Sequence, residues 1–429
     1  MPTITLLTVG SRGDIQPFVA LGLGLRERGH EVRLCAPASF ETFIESQGLA
    51  YRYMDDGIVK LIGDENMRQF MEAGDRGWLS WFKLAMELKG MARPISKRMF
   101  EDVWKAVQGS DLIVYHPKVL AGSDVAEALG VPEVLALPFP SLVSTSEEPM
   151  LLFPRWRLGG WYNRATYFST RIARSMYHDV LRAFRANHLG LPPRKRFASQ
   201  LKDASGRLIS SLHAYSRHVV PRPSDWPENS AVTGYWFLDE PGWTPPEDLA
   251  QFLNAGDPPV YIGFGSMVGT NPEAKGRLVL AAVEQVGCRA VLGSGWGGLA
   301  IEETPADVFM LDQAPHAWLF PRMAGVVHHG GAGTTAAGLR AGRPTFICPF
   351  FGDQPYWGRR VEMLGVGPAP VRQRDLTVER LAAGLRRLVS DATMQARAEA
   401  LGEQIRAEDG IGTATGILES IIEQQGTRE

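Results

Sequence analysis

The chain has 429 residues, 45% hydrophobic and 21% charged, with a formal net charge of −2. That length is more than one core organises and predicts two domains, and the charge balance leaves no whole-protein field for recruiting nucleic acid or an acidic surface. Three cysteines, Cys35, Cys288 and Cys348, match no zinc spacing and no disulfide framework, and predict buried thiols in a reducing compartment.

The chain opens on an apolar strand, Thr3 to Val9, then a turn Gly10-Ser11-Arg12-Gly13, a helix through Leu25 and a second strand, EVRLCAP. Strand, helix and strand within about forty residues make a parallel crossover unit. Further units follow at DLIVYH, a helix over 122–129, and PEVLALP. Residues 60–105 and 150–200 interrupt this rhythm with helical stretches rich in Trp, Phe, Met and Arg. Trp78, Trp81, Phe82, Phe139 and Met150 are candidates to line a pocket for a large apolar ligand. Core filling is the plain alternative, and Arg155, Arg157 and Arg164 among Trp156, Trp161 and Tyr162 also suit a membrane interface.

A proline-rich stretch over 239–259 suits a linker. The expected division is therefore 1–238 for an N-terminal domain, 239–259 for the linker, 260–409 for a second α/β domain and 410–429 for a terminal helix. In the second domain, strands VYIGFGS, CRAVLGSG and VFMLD precede the most informative segment, residues 313–358. It reads as a turn with His316 and Trp318, a buried strand AGVVHH, the cluster Gly330-Gly331-Ala332-Gly333, and a helix from Thr334-Thr335. A further strand then ends in Asp353-Gln354. Glycines at a strand-to-helix turn let backbone approach a phosphate, and the helix start supplies N–H groups and positive dipole. His328 and His329 adjoin on a strand and point to opposite faces, so one of them can serve a diphosphate. Asp353 and Gln354 suit sugar hydroxyls, and an aromatic near the turn suits a nucleobase. Together these groups predict binding of a nucleotide-diphosphate-linked sugar.

These motifs resemble the donor signature of the GT-B UDP-glycosyltransferase family. PHAWLFPRMAGVVHHGGAGTTAAGLRAG, PFFGDQPYWG, GFGSM and the N-terminal GSRGDIQPFVALGLGL are most similar to the sterol 3-beta-glucosyltransferase branch and its bacterial relatives. The resemblance implies an α/β GT-B fold, two Rossmann-like domains facing a cleft, with C-terminal helices crossing back. It implies Asp14 as the general base, with helix capping as its plainer role. It implies a donor set of Ser266, His316, Trp318, His329, Gly331, Gly333, Thr334, Asp353 and Gln354. Plant-type relatives carry a ribose-binding glutamate eight residues after the motif's histidine; Ala337 stands there in this chain, so the choice of UDP over dTDP stays open.

The activity this implies is inverting transfer of a hexose, glucose from UDP-glucose first, onto a hydroxyl of a hydrophobic acceptor such as a sterol or triterpenoid. A secondary-metabolite glycosyltransferase using a dTDP-sugar is the alternative, and a nucleotide-sugar epimerase lies further off. No cofactor or metal is expected beyond the donor, because no DxD pattern is present. The expected partners are a nucleotide sugar and a small apolar alcohol. The expected location is cytoplasmic, with peripheral membrane contact as an option, because no apolar run approaches the roughly 18 residues that span a bilayer.

Overall fold

The computed structural model describes residues 1–62, 78–240, 242–265, 272–294 and 304–426; of residues 62, 78–89, 91 and 426 the backbone alone is described. The described residues divide into two compact units: 1–62 with 78–238 and 409–426, and those of 239–408.

In the first unit seven strands form one parallel sheet: β1 Thr3–Leu7, β2 Glu31–Pro37, β3 Ala50–Met54, β4 Leu112–Tyr115, β5 Glu133–Leu137, β6 Ser210–His213 and β7 Ser230–Val232. Their order is β3-β2-β1-β4-β5-β6-β7, so the winding reverses between β1 and β4. Ligands of open α/β sheets bind at the carboxyl ends of the strands flanking such a reversal. The strands read as near-continuous apolar runs because both faces are covered: β1 is buried throughout, and separate apolar clusters pack on its two sides. β3, β6 and β7 escape a reading of the sequence. AYRYM lies at the sheet edge and is half-exposed, while SSLH and SAV are short and open on serine.

The glycines of GIGTATG read as a break before ILESIIEQ, yet one helix runs unbroken through Gly410–Gly426. Small residues are needed there: a Cβ on Gly410 would overlap the Tyr235 carbonyl, and one on Gly24 would overlap Ile411. Ala414 and Leu418 of this helix join Leu21 and Leu25 in the core.

The stretch 150–200 is broken into short helices, Gly160–Thr166, Phe168–Ser175 and His178–Phe184, and a π-helical turn Arg185–Leu189. A buried ion network holds it down. The Arg185 guanidinium donates to Asp124 Oδ1 at 2.6 Å and to both oxygens of Glu127 at 2.8 and 3.0 Å. Arg194 donates to Glu127 at 2.8 Å, and Arg174 lies 3.6 Å from Asp124 Oδ2. Arg185 is 2% exposed and Asp124 0%, so removing one partner strands a desolvated carboxylate. Arg185→Met is expected to destabilise this unit by about 3–5 kcal/mol in denaturant titrations.

The second unit carries a five-stranded parallel sheet of β8 Val260–Gly263, β9 Ala290–Gly293, β10 Val308–Leu311, β11 Gly325–His328 and β12 Thr345–Ile347. The order β10-β9-β8-β11-β12 places its reversal between β8 and β11. Not all of the expected linker is a plain tether: a helix Glu247–Asn254 forms within it. Its Leu249 is fully buried among Val291, Leu311, Leu319 and Phe320, an apolar anchor that the surrounding prolines conceal in the sequence.

Among the described residues no helix is long and apolar enough to cross a membrane. Cys35 and Cys348 are buried free thiols and Cys288 is half-buried; burial pushes the Cys348 thiol up to about 12.

Candidate functional site

At the reversal of the first sheet, Ser11 caps the helix Arg12–Glu27 and Asp14 is its third residue. Asp14 Oδ2 accepts from the Ser11 N–H at 2.8 Å and from the Ser11 hydroxyl at 3.2 Å. This is a reciprocal capping box, so the capping role expected of Asp14 is real but belongs to the N3 position, with Ser11 as the N-cap. Gly10 sits at φ 137°, and a Cβ there would overlap Asp14 Oδ2. The first glycine of the GSRGD motif therefore makes room for the carboxylate itself.

The other oxygen, Oδ1, meets two residues from the end of β4 that a reading of the sequence passed over. Lys118 Nζ donates to it at 2.7 Å, and His116 Nε2 stands 3.4 Å away. The signal was present, since DLIVYH ends a strand that neighbours β1, but only the topology reveals that neighbour. His116 is fully buried, its ring lying 6.0 Å from those of Phe18 and Phe139. Its Nδ1 accepts from the Lys118 N–H at 3.1 Å, which leaves the proton on Nε2, directed to the Asp14 side. Burial lowers His116 to about 3, so at neutral pH it offers a dipole and not a charge.

For Asp14, burial alone would raise the carboxyl. The Lys118 ammonium, the His116 ring and the hydrogen bonds from Lys118 and Ser11 outweigh it and hold Asp14 below its ordinary 3.8. Asp14 is thus an ionised carboxylate at neutral pH, buried on one oxygen and bridged on the other. Lys118 is half-exposed, so this bridge is the movable part. In Lys118→Met the acid limb of kcat/KM is expected to move to higher pH with the neutral plateau kept; an unmoved limb separates Lys118 from the base.

Phe139, expected on the acceptor side, adjoins this group, its ring 6.0 Å from Lys118 Nζ. Met150 is half-buried, its N–H donating to the Thr166 hydroxyl at 2.9 Å. Trp78, Trp81 and Phe82 lie on the helix Trp78–Ala106, with side chains outside the described residues.

At the reversal of the second sheet, β11 ends in the histidine pair. His328 is buried into the core, its Nδ1 accepting from the Gly330 N–H at 2.9 Å. His329 lies on the other side, as strand alternation requires. Its ring is wedged between two glycines: a Cβ on Gly265 would come within 2.9 Å of its Cε1, and one on Gly331 within 2.7 Å of its Nε2. Nε2 therefore faces Gly331, the N-cap of the helix Ala332–Arg340. Nδ1 is buried without a hydrogen-bond partner among the described residues, and burial lowers the ring to about 4. The N–H groups of Ala332, Gly333 and Thr334 open this helix, where no intrahelical carbonyl can reach them. The Thr335 hydroxyl turns back to the Gly331 carbonyl at 2.9 Å.

Asp353 stands at the N-cap position of the helix Gln354–Met363 without a side-chain capping bond, and its Oδ2 accepts from the Trp357 indole at 2.8 Å. Gln354 is buried, its amide oxygen accepting from the N–H groups of Phe350 and Phe351 at 2.8 and 3.2 Å, which shapes the loop carrying Asp353. His316 stacks on Phe320 at 4.3 Å. Trp318 packs edge-on against Trp243 at 4.9 Å beneath the Arg322 guanidinium at 4.1 Å. Lys275 was not singled out in the sequence; its ammonium lies 5.5 and 4.9 Å from the rings of Phe264 and Phe350. Ser266 lies outside the described residues. Among the described residues no three of His, Cys, Asp and Glu converge to hold a metal ion.

Residues 4–138 match the Glycosyltransferase family 28 N-terminal domain, and residues 278–419 match the Erythromycin biosynthesis protein CIII-like, C-terminal domain. The solved glycotransferase of kitacinnamycin superposes with a TM-score of 0.71 at 18% identity, over 98% of this chain and 99% of that one. The calicheamicin glycosyltransferase CalG4 gives 0.69 at 17%, over 99% and 98%. Two parallel-sheet α/β units with these neighbours define the GT-B fold.

The sterol 3-beta-glucosyltransferase of Emericella nidulans is 37% identical over 426 residues, 96% of this chain and 29% of that protein. That of Aspergillus clavatus is 36% identical over 439 residues, 99% and 30%. The chain thus spans less than a third of the length of these relatives. It carries the GT-B fold and resembles the UDP-glycosyltransferase family, nearly its whole length being similar to sterol 3-beta-glucosyltransferases.

Proposed function

We propose that this chain transfers a hexose, glucose from UDP-glucose in the first instance, to the hydroxyl of a sterol-like alcohol with inversion at the anomeric carbon. The observation that carries the reading is the ionised Asp14 carboxylate at the β1/β4 reversal, held in a glycine-made recess beside a buried neutral histidine. The acceptor oxygen attacks the anomeric carbon as its proton passes to Asp14. The bond from that carbon to the diphosphate breaks, and its electron pair leaves on the diphosphate. His329 Nε2 and the opening N–H groups of the helix Ala332–Arg340 stabilise the charge that develops there. Asp353 orients the sugar hydroxyls, with Gln354 setting its loop. Relatives described as sterol 3-beta-glucosyltransferases support the acceptor class. No metal takes part in this reading, so chelator is expected to leave the rate unchanged.

The match to an erythromycin-biosynthesis domain model favours a second reading, a dTDP-sugar donor and a polyketide-like acceptor. One assay separates them: nucleotide release from UDP-glucose and from dTDP-glucose, with and without cholesterol. Cholesterol-dependent UDP release is the expected result. Release only from dTDP-glucose, or release that no alcohol stimulates, would sink the sterol assignment.

A further inference from the structure

We infer that the segment Phe153–Phe197 is a docking face for an anionic bilayer. The inference deepens the sterol reading, since such an acceptor resides in membranes. In a chain of net charge −2, residues 149–202 hold eleven Lys or Arg and one acidic residue, Asp179. Three of these arginines, Arg174, Arg185 and Arg194, are taken up by the buried network with Asp124 and Glu127. The others lie at the surface.

The same surface carries apolar side chains that the core has not taken: Trp156 at 60% exposure, Leu158 at 48%, Trp161 at 68%, Phe168 at 48% and Phe197 at 47%. They are ordered, not scattered. Trp156 stacks on Tyr162 at 5.6 Å, and Trp161 meets the same ring edge-on at 6.3 Å. Tyr162 is itself fixed by donating to the Pro154 carbonyl at 2.7 Å.

The helices Gly160–Thr166 and Phe168–Ser175 meet at Tyr167, which keeps right-handed helical dihedrals. Trp161, Phe168 and Ile172 are spaced by seven and four residues, so they share one side of this near-continuous run. Phe168 packs on Phe197 at 6.0 Å, with Arg171 and Arg196 each 5.9 Å from one of these two rings. Two of the flanking cations are partly neutralised, Arg155 by Glu148 and Arg164 by Asp225.

Exposed tryptophans interleaved with basic residues on a surface loop and the helix that follows it fit the headgroup boundary of a bilayer, where the rings enter and the arginines meet anionic lipid. The buried arginine network below holds the face rigid, so little ordering entropy opposes docking. A protein partner is the competing occupant; the charge excess favours lipid.

The test is co-sedimentation of the full chain with phosphatidylcholine vesicles, without and with about 30% phosphatidylserine, donor and acceptor omitted. Binding is expected only with phosphatidylserine and is expected to weaken as salt is raised. Arg157→Ala with Arg171→Ala should weaken it roughly fivefold per arginine, and Trp156→Ala with Trp161→Ala by tenfold or more on the order of two buried rings. Met363→Ala, another exposed apolar side chain at 60%, should leave it unchanged. Unaltered thermal midpoints would show that these exposed positions do not support the fold.

Absence of binding, equal binding to both vesicles, or binding indifferent to the two double variants would each overturn the inference. So would a self-association that the tryptophan variants abolish without vesicles. Nucleotide release toward detergent-dispersed cholesterol is measured separately: turnover without vesicle binding sinks the docking face alone, and vesicle binding without turnover sinks the catalytic reading alone.

Discussion

Asp14→Asn is expected to lower kcat/KM for glycosyl transfer by about 10²–10⁴-fold, the range that a positioned general base supplies. The substitution isolates chemistry from folding. An asparagine oxygen can still accept from the Ser11 N–H, as Asp14 Oδ2 does at 2.8 Å, so the helix start keeps its cap. What disappears is the negative oxygen that meets Lys118. Because Lys118 is half-exposed, that pair contributes below about 1 kcal/mol to stability.

The pH dependence follows from the depressed carboxyl of the folded state. Its contribution to stability is present above the unfolded value near 3.8 and is lost as pH falls through the folded value, which lies lower. The wild type and the variant should therefore differ in thermal midpoint by a small constant at neutral pH, and that difference should close only in strong acid. In activity the same sign holds: the wild-type base stays ionised across the neutral range, so the acid limb of kcat/KM that it sets lies below pH 4. A variant that keeps more than about a tenth of the rate would reduce Asp14 to the capping partner of Ser11.

The parts of this site legible in the sequence were those written in one contiguous segment. The glycine cluster after AGVVHH and the GSRGD turn each place strand end, turn and helix start within a few residues, so composition and spacing suffice. Long-range neighbours were not legible. His116 and Lys118 reach Asp14 only because β4 pairs with β1, a register between Leu7 and Tyr115 that no local pattern encodes. That His328 and His329 face opposite ways was legible, since strand alternation needs one residue of context, whereas the choice of His329 for the turn came from the family resemblance. The fate of Gln354 was not. A polar residue after a strand reads as a ligand-facing group, yet the backbone of Phe350 and Phe351 takes up its oxygen. β3, β6 and β7 were missed for a related reason: short strands with polar residues, two of them at the sheet edges, lack the apolar run that marks a buried strand.

His329→Ala is expected to reduce kcat by about 10²–10³-fold while the affinity for the donor changes far less, because a donor to a developing charge acts mainly in the transition state. The geometry restricts what the ring can do. It is held between Gly265 and Gly331 with Nε2 toward the helix start, and its Nδ1 is buried without a partner among the described residues. A neutral ring in that position has one proton to offer, and the tautomer that carries it on Nε2 places it at the three N–H groups that open the helix. With its value lowered to about 4, the ring stays neutral through the working range, so kcat/KM should show no inflection near 6.5 that vanishes in the variant. Gly331→Ala provides the independent arm. A methyl 2.7 Å from Nε2 must push the ring aside while every polar group is retained, so a similar loss in kcat would assign the effect to the ring's position. If Gly331→Ala abolished donor binding as well, the turn itself and not the imidazole would carry the diphosphate. If His329→Ala kept full turnover, stabilisation of the leaving group would fall to the helix start alone.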